Sequence, residues 1–183
     1  LSCKEYKIMS RPETQLLAIA VSTGDRQAFG ELVQIYQSPL RLVIRRWASG
    51  NGALADDIAQ EAFIKAYLGI TKFRFEAKFF TWLCQISYHA FIEHCRKKKL
   101  LAEAQLLPES NPARKTDLHH DVEYAMRYLS EAERVAITLC FHKDLSHDEA
   151  ATIMQIPLGT LKSHVNRAKE KMSKHLSAWK EEN

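Results

Sequence analysis

The stretch LSEAERVAITLCFHKDLSHDEAATIMQIPLGTLKSHVNRAKEKM, Leu129 to Met172, decides the fold. Ser130-Glu131-Ala132-Glu133 and Ser146-His147-Asp148-Glu149 both fit the S-x-x-E capping box. In that motif the Ser side chain accepts the backbone N–H three residues on, and the Glu reaches back to the Ser N–H. Two helices therefore start there. The second, Ser146 to about Met154, carries Ala150, Ala151, Ile153 and Met154, and its small Ala residues let another helix approach closely. Gln155-Ile156-Pro157 then interrupts. A new helix is predicted from about Leu158 through Lys174, with Leu161, Val165, Ala168 and Met172 on one face. This is the spacing of a helix-turn-helix. Its opposite face carries Lys162, Ser163, Asn166, Arg167 and, further along, Lys169. Arg reads guanine in bidentate fashion, Asn reads adenine, and Lys and Ser reach base edges or phosphate, so these side chains suit a major groove. A basic surface helix of a bundle is the plainer alternative. The coincidence of capping box, Pro turn and polar reading residues argues against it.

Working outward, periodicity is helical nearly everywhere. The chain has only 6 Gly and 5 Pro in 183 residues and no sustained alternation, so the fold class is all-α. From Asp56 to Ile70, Ala59, Phe63, Ala66, Tyr67 and Ile70 recur at three and four, while Asp56, Asp57 and Glu61 crowd what reads as the first turns, where acids suit the helix dipole. Between Leu101 and His120, LAEAQLLPESNPARKTDLHH carries two prolines and loses its periodicity, as a linker does. Two small helical domains, residues 1–97 and 120–183, joined by a flexible linker over 98–119, are the expected organisation.

Charge is segregated along this plan. The net +4 is modest, but Lys72 to Lys99 holds seven bases against Glu76 and Glu93. Asp117 to Glu149 holds eight acids against Arg127, Arg134 and Lys143, and Leu158 to Lys180 six bases against Glu170. Two basic blocks flanking an acidic one suit a bipartite polyanion contact. The alternative is three solvated helix faces. The hydrophobic fraction of 46% excludes a disordered chain. No run approaches the roughly 18 apolar residues of a membrane span, and LSCKEYKIMSRPETQ lacks a signal peptide's apolar block, so no membrane insertion and a cytoplasmic location are expected. Cys3, Cys84, Cys95 and Cys140 are scattered, as reduced thiols are. Cys84, His89, His94 and Cys95 raise the possibility of zinc or a metal hydrolase, but no tight CxxC or HxxxH pair supports it, and no metal or cofactor is expected.

Leu129 to Met172, ending in P-x-G-T-x-[KR]-S and the helix that follows, resembles region 4 of bacterial sigma-70 family sigma factors of the extracytoplasmic-function group. GDRQAFGELVQIYQ, DDIAQEAFIKAYLGITKF and Phe79-x-x-Trp82-Leu83-Cys84-Gln85-Ile86 resemble regions 2.1, 2.2 and 2.3/2.4 in the same order. The resemblance runs from about Leu17 to Met172, and the ordered pair across a linker is more specific than either motif. It implies a factor that binds core RNA polymerase, recognises minus-35 and minus-10 promoter elements, and promotes strand opening.

Residue by residue, the resemblance implies that Asp56, Asp57, Gln60, Glu61, Phe63, Lys65 and Tyr67 dock on the β′ clamp helices, with region 4 at the β flap. It implies minus-35 contacts from Lys162, Ser163, Asn166, Arg167 and Lys169. For minus-10 melting it points to Arg74, Phe75, Lys78, Phe80, Trp82, His89, Arg96 and Lys97, which supply cations, aromatic wedges and a site for an extruded base. An anti-sigma partner is implied as well. Departures fall in the same segment. Phe75 stands where Gly is common, Lys78 where a small or polar residue is usual, and His89 where an Asn often contacts the flipped base. A P-loop of the form G-x-x-x-x-G-K-[ST] is missing, so binding energy must drive the opening. The competing readings are a stand-alone helix-turn-helix regulator, which needs neither DDIAQEAFIKAY nor the aromatic segment, and the metal hydrolase.

Overall fold

In a computed structural model the described residues are 10–105, 122, 124–143 and 145–182. They form α1 (Ser10–Thr23), α2 (Arg26–Trp47), α3 (Gly52–Gly69), a 3-10 turn over Ile70–Lys72, α4 (Phe79–Gln105), α5 (Glu131–His142), α6 (His147–Met154) and α7 (Leu158–Glu182). No strand occurs among the described residues. The all-α reading holds. Each start has a local cause. Asp25 accepts the Ala28 N–H at 2.6 Å ahead of α2, and Asn51 accepts the Leu54 N–H at 3.1 Å ahead of α3. Both expected capping boxes form, at Ser130 with Glu133 and at Ser146 with Glu149. Gln155 ends α6 in the left-handed region at φ 52°, which makes the tight corner before Pro157.

The N-terminal half packs α1, α2, α3 and α4 around Leu32, Tyr36, Leu40, Val43, Ile44, Trp47, Leu83 and Phe91, all buried. The C-terminal half packs α5, α6 and α7 around Val135, Leu139, Ile153, Leu161 and Val165. Glu133 ties this half together. Its buried carboxylate accepts the Ser130 N–H at 2.8 Å and the Lys171 ammonium at 2.8 and 3.1 Å, which joins α5 to α7. Burial alone would raise this carboxyl's pKa, but the Lys171 and Ser130 hydrogen bonds hold it below the usual range.

The two halves also pack on each other, α5 against α2 and α6 against α4, so the buried apolar residues form one connected cluster. Arg134 crosses the seam. Its Nε–H donates to the Trp47 carbonyl at 2.6 Å and its Nη1 to the Leu129 carbonyl at 3.0 Å.

Three boundaries differ from expectation. Helix α3 begins at Gly52, four residues before Asp56, because Asn51 caps it. The first turn therefore holds no acid, and Asp56, Asp57 and Glu61 are not its dipole partners. Helix α4 continues to Gln105, past the expected boundary at 97, because Leu100, Leu101, Ala102, Glu103 and Ala104 are strong helix formers and Pro108 lies beyond. Helix α7 likewise runs on to Glu182. Of the expected linker, residues 106–119 lie outside the described residues.

Candidate nucleic-acid interface

Helix α7 separates a buried face cleanly from an exposed one. Leu161, Val165 and Ala168 are buried, while Lys162, Ser163, Asn166, Arg167 and Lys169 are exposed. Pro157, Gly159, Thr160, Ser163, Asn166 and Arg167 line an open concavity at the start of the helix. Arg167 is preorganised within it. Its Nε–H donates to the Ser163 carbonyl at 3.3 Å, its Nη2 meets His164 Nδ1 at 3.2 Å, and Glu133 lies 4.0 Å from its Nε. Burial first, then the neighbouring Arg167 charge, pushes the His164 pKa down. Lys169 stands apart: its ammonium sits over the Phe141 ring, 4.6 Å from the centroid. Thr160 joins the concavity although the sequence reading passed over it, and its one-turn offset from Ser163 on the same helix was the available signal.

On α4 the expected minus-10 residues divide between two faces. Trp82, His89 and Arg96 recur at seven, which places them on one stripe about 21 Å long. His89 and Arg96 are exposed. Gln85 lies beside this stripe and is a further polar group that the sequence reading missed. Trp82 is half-buried, its ring 5.2 Å from Phe73 and 5.7 Å from Phe79, and a Cβ added at Gly69 would lie 3.7 Å from it. Phe80 points elsewhere. It stacks on Tyr36 at 5.8 Å, and Lys143 of the C-terminal half lies over its ring at 5.2 Å. Lys97 pairs with Glu93 at 3.0 Å, while Lys78 and Arg74 stand exposed before the helix. Arg74 approaches Glu76 only to 4.0 Å.

Phe75 occupies the loop between the 3-10 turn and α4 at φ 58°, a backbone region that favours glycine. Its ring is 53% exposed and leans on Phe73 at 5.0 Å. Phe75 thus presents an exposed ring face from a strained loop, beside the basic residues Arg74 and Lys78.

The third surface lies on α3. Asp56, Asp57, Gln60, Glu61, Lys65 and Tyr67 are exposed and Phe63 is half-buried. Asp56 pairs with Arg41 of α2, and Lys65 pairs with Glu61. Phe63 and Tyr67 join Phe29 and Val33 of α2 in an apolar groove of about 540 Å³, with Arg26 and Gln60 at its edges. Phe29 and Tyr67 meet ring to ring at 5.2 Å. Ile64 and Leu68 line the groove as well and are strongly exposed, Leu68 at 75%. The sequence reading missed both. Their signal was an apolar pair four apart beside Phe63 and Tyr67, which makes the stripe too wide to bury fully.

Among the described residues no three His, Cys, Asp or Glu side chains gather closely enough to hold a metal ion. Cys84 is buried, Cys95 and Cys140 are half-buried, and His89 and His94 are exposed. Burial pushes the Cys84 thiol up to about 12. No helix is long and apolar enough to cross a membrane, among the described residues.

Comparisons with known proteins fit this arrangement. Residues 32–100 match the model for Sigma-70 region 2, and residues 119–172 match that for Sigma-70, region 4. The chain is 31% identical to the RNA polymerase sigma-H factor of Pseudomonas aeruginosa, across 92% of this chain and 96% of the relative. It is 34% identical to the ECF RNA polymerase sigma factor SigW of Bacillus subtilis, across 85% and 92%. In structure it is similar to the sigma factor RpoE from Bartonella quintana, solved in complex with the anti-sigma factor NepR, with TM-score 0.71, 26% identity and coverage of 81% of this chain and 96% of that one. With region 2 matching the half that holds α3 and α4, and region 4 the half that holds the helix-turn-helix, the chain belongs to the sigma-70 family, as an RNA polymerase sigma factor of the extracytoplasmic-function group.

Proposed function

We propose that the chain directs core RNA polymerase to promoters by reading the minus-35 element with α7 and opening the minus-10 element with α4 and the loop before it. The observation that carries this reading is the presence of two exposed, basic, DNA-suited surfaces on separate halves, in the order of regions 2 and 4. Lys162, Ser163, Asn166 and Arg167 enter the major groove at the start of α7, and Lys169 reaches phosphate once it leaves Phe141. Arg74, Lys78, Arg96 and Lys97 contact phosphates of the minus-10 strands, Phe75 and Trp82 offer ring faces, and His89 meets the extruded base. Phe80 contributes after the C-terminal half moves away.

The α3 face, Asp56, Asp57, Gln60, Glu61, Phe63, Lys65 and Tyr67 around the apolar groove, docks on the β′ clamp helices, and region 4 meets the β flap. An apolar centre with a charged rim is the anatomy of a protein interface. The factor acts by binding, in the cytoplasm, without catalysis of its own. Melting costs roughly 1.4 kcal/mol per base-pair step, which only the summed contacts of polymerase and both elements supply. An anti-sigma partner covers the same faces; the Bartonella quintana relative was solved in complex with an anti-sigma factor. Co-purification with core polymerase followed by run-off transcription tests the reading. Specific transcripts from core plus this chain are expected. Duplex binding without any association with core would instead identify a stand-alone regulator.

A further inference from the structure

Arg167 has two hydrogen-bonding edges, and the fold occupies one of them. A guanidinium carries its N–H donors in a planar fork: a side edge of Nε–H and one Nη2 hydrogen, and an end edge of one Nη1 hydrogen and the second Nη2 hydrogen. The Nε–H donates to the Ser163 carbonyl at 3.3 Å and Nη2 to His164 Nδ1 at 3.2 Å, so the side edge is turned on its own helix. Glu133 of α5 lies 4.0 Å from the same Nε. The end edge is left over, and its two parallel donors match O6 and N7 of guanine. Arg167 lines the concavity at the start of α7 with its side chain 56% exposed, which leaves room for a base edge there.

The bond to His164 requires a particular protonation state. Arginine donates and never accepts, so Nδ1 must be the bare nitrogen and the ring proton sits on Nε2. A protonated ring has no lone pair to offer and sets a second cation against the first. Burial, and then the Arg167 charge, push the ring below the usual imidazole range, which keeps it neutral at pH 7. From α5 Glu133 pulls the other way, but Lys171 shares that carboxylate at 2.8 Å, and no charged group of α6 is among those that shift the ring. One hydrogen bond at Nε leaves the guanidinium free to pivot. The second, at Nη2, fixes its plane before DNA arrives, so less freedom is lost on binding.

We propose that His164 is a positioning residue for base choice at the minus-35 element: its bare Nδ1 fixes the plane of Arg167 so that the end edge meets guanine, while His164 itself touches no base. This rests on the reading of α7 as the minus-35 helix. Acid should undo the arrangement. As pH falls through the lowered value, Nδ1 takes up a proton, its bond to Nη2 is lost and the two cations repel. A loosened Arg167 is still drawn to phosphate, so discrimination between bases falls further than affinity.

The test measures holoenzyme, core plus the full chain, on duplexes that vary each minus-35 position, and Arg167→Ala identifies the guanine that Arg167 reads. Asn Oδ1 stands as many bonds from Cβ as His Nδ1 and does not titrate, so His164→Asn keeps the acceptor and His164→Ala removes it. At pH 7 discrimination for that guanine should fall about fivefold in His164→Ala and stay within about twofold of wild type in His164→Asn. Between pH 7 and about pH 5.5 the wild type should lose discrimination several-fold while His164→Asn stays flat. A purely structural role for His164 gives neither the rescue nor the difference in pH profile. Equal discrimination in wild type and His164→Ala overturns the positioning role, as does a parallel acid loss in wild type and His164→Asn, and both results leave the minus-35 reading intact. An Arg167→Ala chain with every base preference unaltered overturns that reading of Arg167, and the positioning role with it.

Discussion

α7 and α4 both carry residues proposed to face DNA, but they divide their surfaces differently. On α7 the buried residues Leu161, Val165 and Ala168 and the exposed residues proposed to read DNA, Lys162, Ser163, Asn166 and Arg167, occupy opposite sides, so no side chain is asked to do both jobs. On α4 the division runs through individual residues. Trp82 packs on Phe73 and Phe79 while lying on the stripe with His89 and Arg96, and Phe80 lies under the other half of the molecule. A helix that only reads duplex can keep recognition on a solvated face. One that separates strands needs rigid aromatic groups, and rigidity comes from packing.

This contrast can be broken by mutation, and the largest effect is expected at Trp82. Trp82→Ala removes a ring held by Phe73 and Phe79, and should cost about 3 kcal/mol and lower the melting temperature by roughly 9 °C. It should also impair opening of duplex promoters more than transcription from a premelted template. An unchanged melting curve would show that Trp82 is a surface platform like the α7 residues.

Arg167→Ala is the matching change on α7. It should weaken holoenzyme binding to the minus-35 element by about 2 kcal/mol, roughly 30-fold, while thermal stability moves by less than about 0.5 kcal/mol. Equal losses in binding and in melting temperature would erase the distinction between the two helices.

Glu133 probes the scaffold behind α7. Its carboxyl pKa is lowered in the folded chain, so the stabilisation is complete above the ordinary carboxylate range and disappears as pH falls through the lower, folded value. Glu133→Gln should cost about 1 kcal/mol at pH 7 and flatten the acid limb of a stability-versus-pH curve. A variant with the same acid limb as the wild type would place the acid sensitivity elsewhere, for example at Glu149, whose carboxyl the Ser146 N–H holds low.

The loop before α4 should show a smaller effect of mixed sign. Phe75→Gly relieves the left-handed backbone, worth about 1 kcal/mol, yet removes an exposed ring, so stability should hold or rise while promoter opening, followed by permanganate footprinting, falls. The smallest effect is expected at exposed His89. His89→Asn should shift the preferred minus-10 base by a few-fold in a promoter-variant transcription assay without touching stability. An unaltered preference removes His89 from base choice.

The contrast also explains what could be read before any coordinates. The helix-turn-helix was legible because its signals are local: Ser130 and Ser146 close their capping boxes within three residues, and the spacing of Leu161, Val165 and Ala168 assigns the other side of α7 to solvent. The roles of the α4 aromatics were not, since Phe79, Phe80 and Trp82 look alike in sequence and only their neighbours distinguish them. The start of α3 was misread because Asp56 and Asp57 are more conspicuous than Asn51, whose single hydrogen bond sets the boundary. The apolar groove went unseen because it needs Phe29 and Val33 of one helix beside Ile64 and Leu68 of another.

The sequence by itself determined the all-α class, the two capping boxes of the C-terminal half, the two basic blocks and the order of the family's regions, because periodicity, capping and charge act over a few residues. Only the tertiary structure decided which aromatics are pinned, that Glu133 ties α5 to α7, and that Arg134 reaches Trp47 across the chain. Those contacts join residues far apart in sequence. Their free energy depends on packing and on the removal of water, which no local pattern encodes.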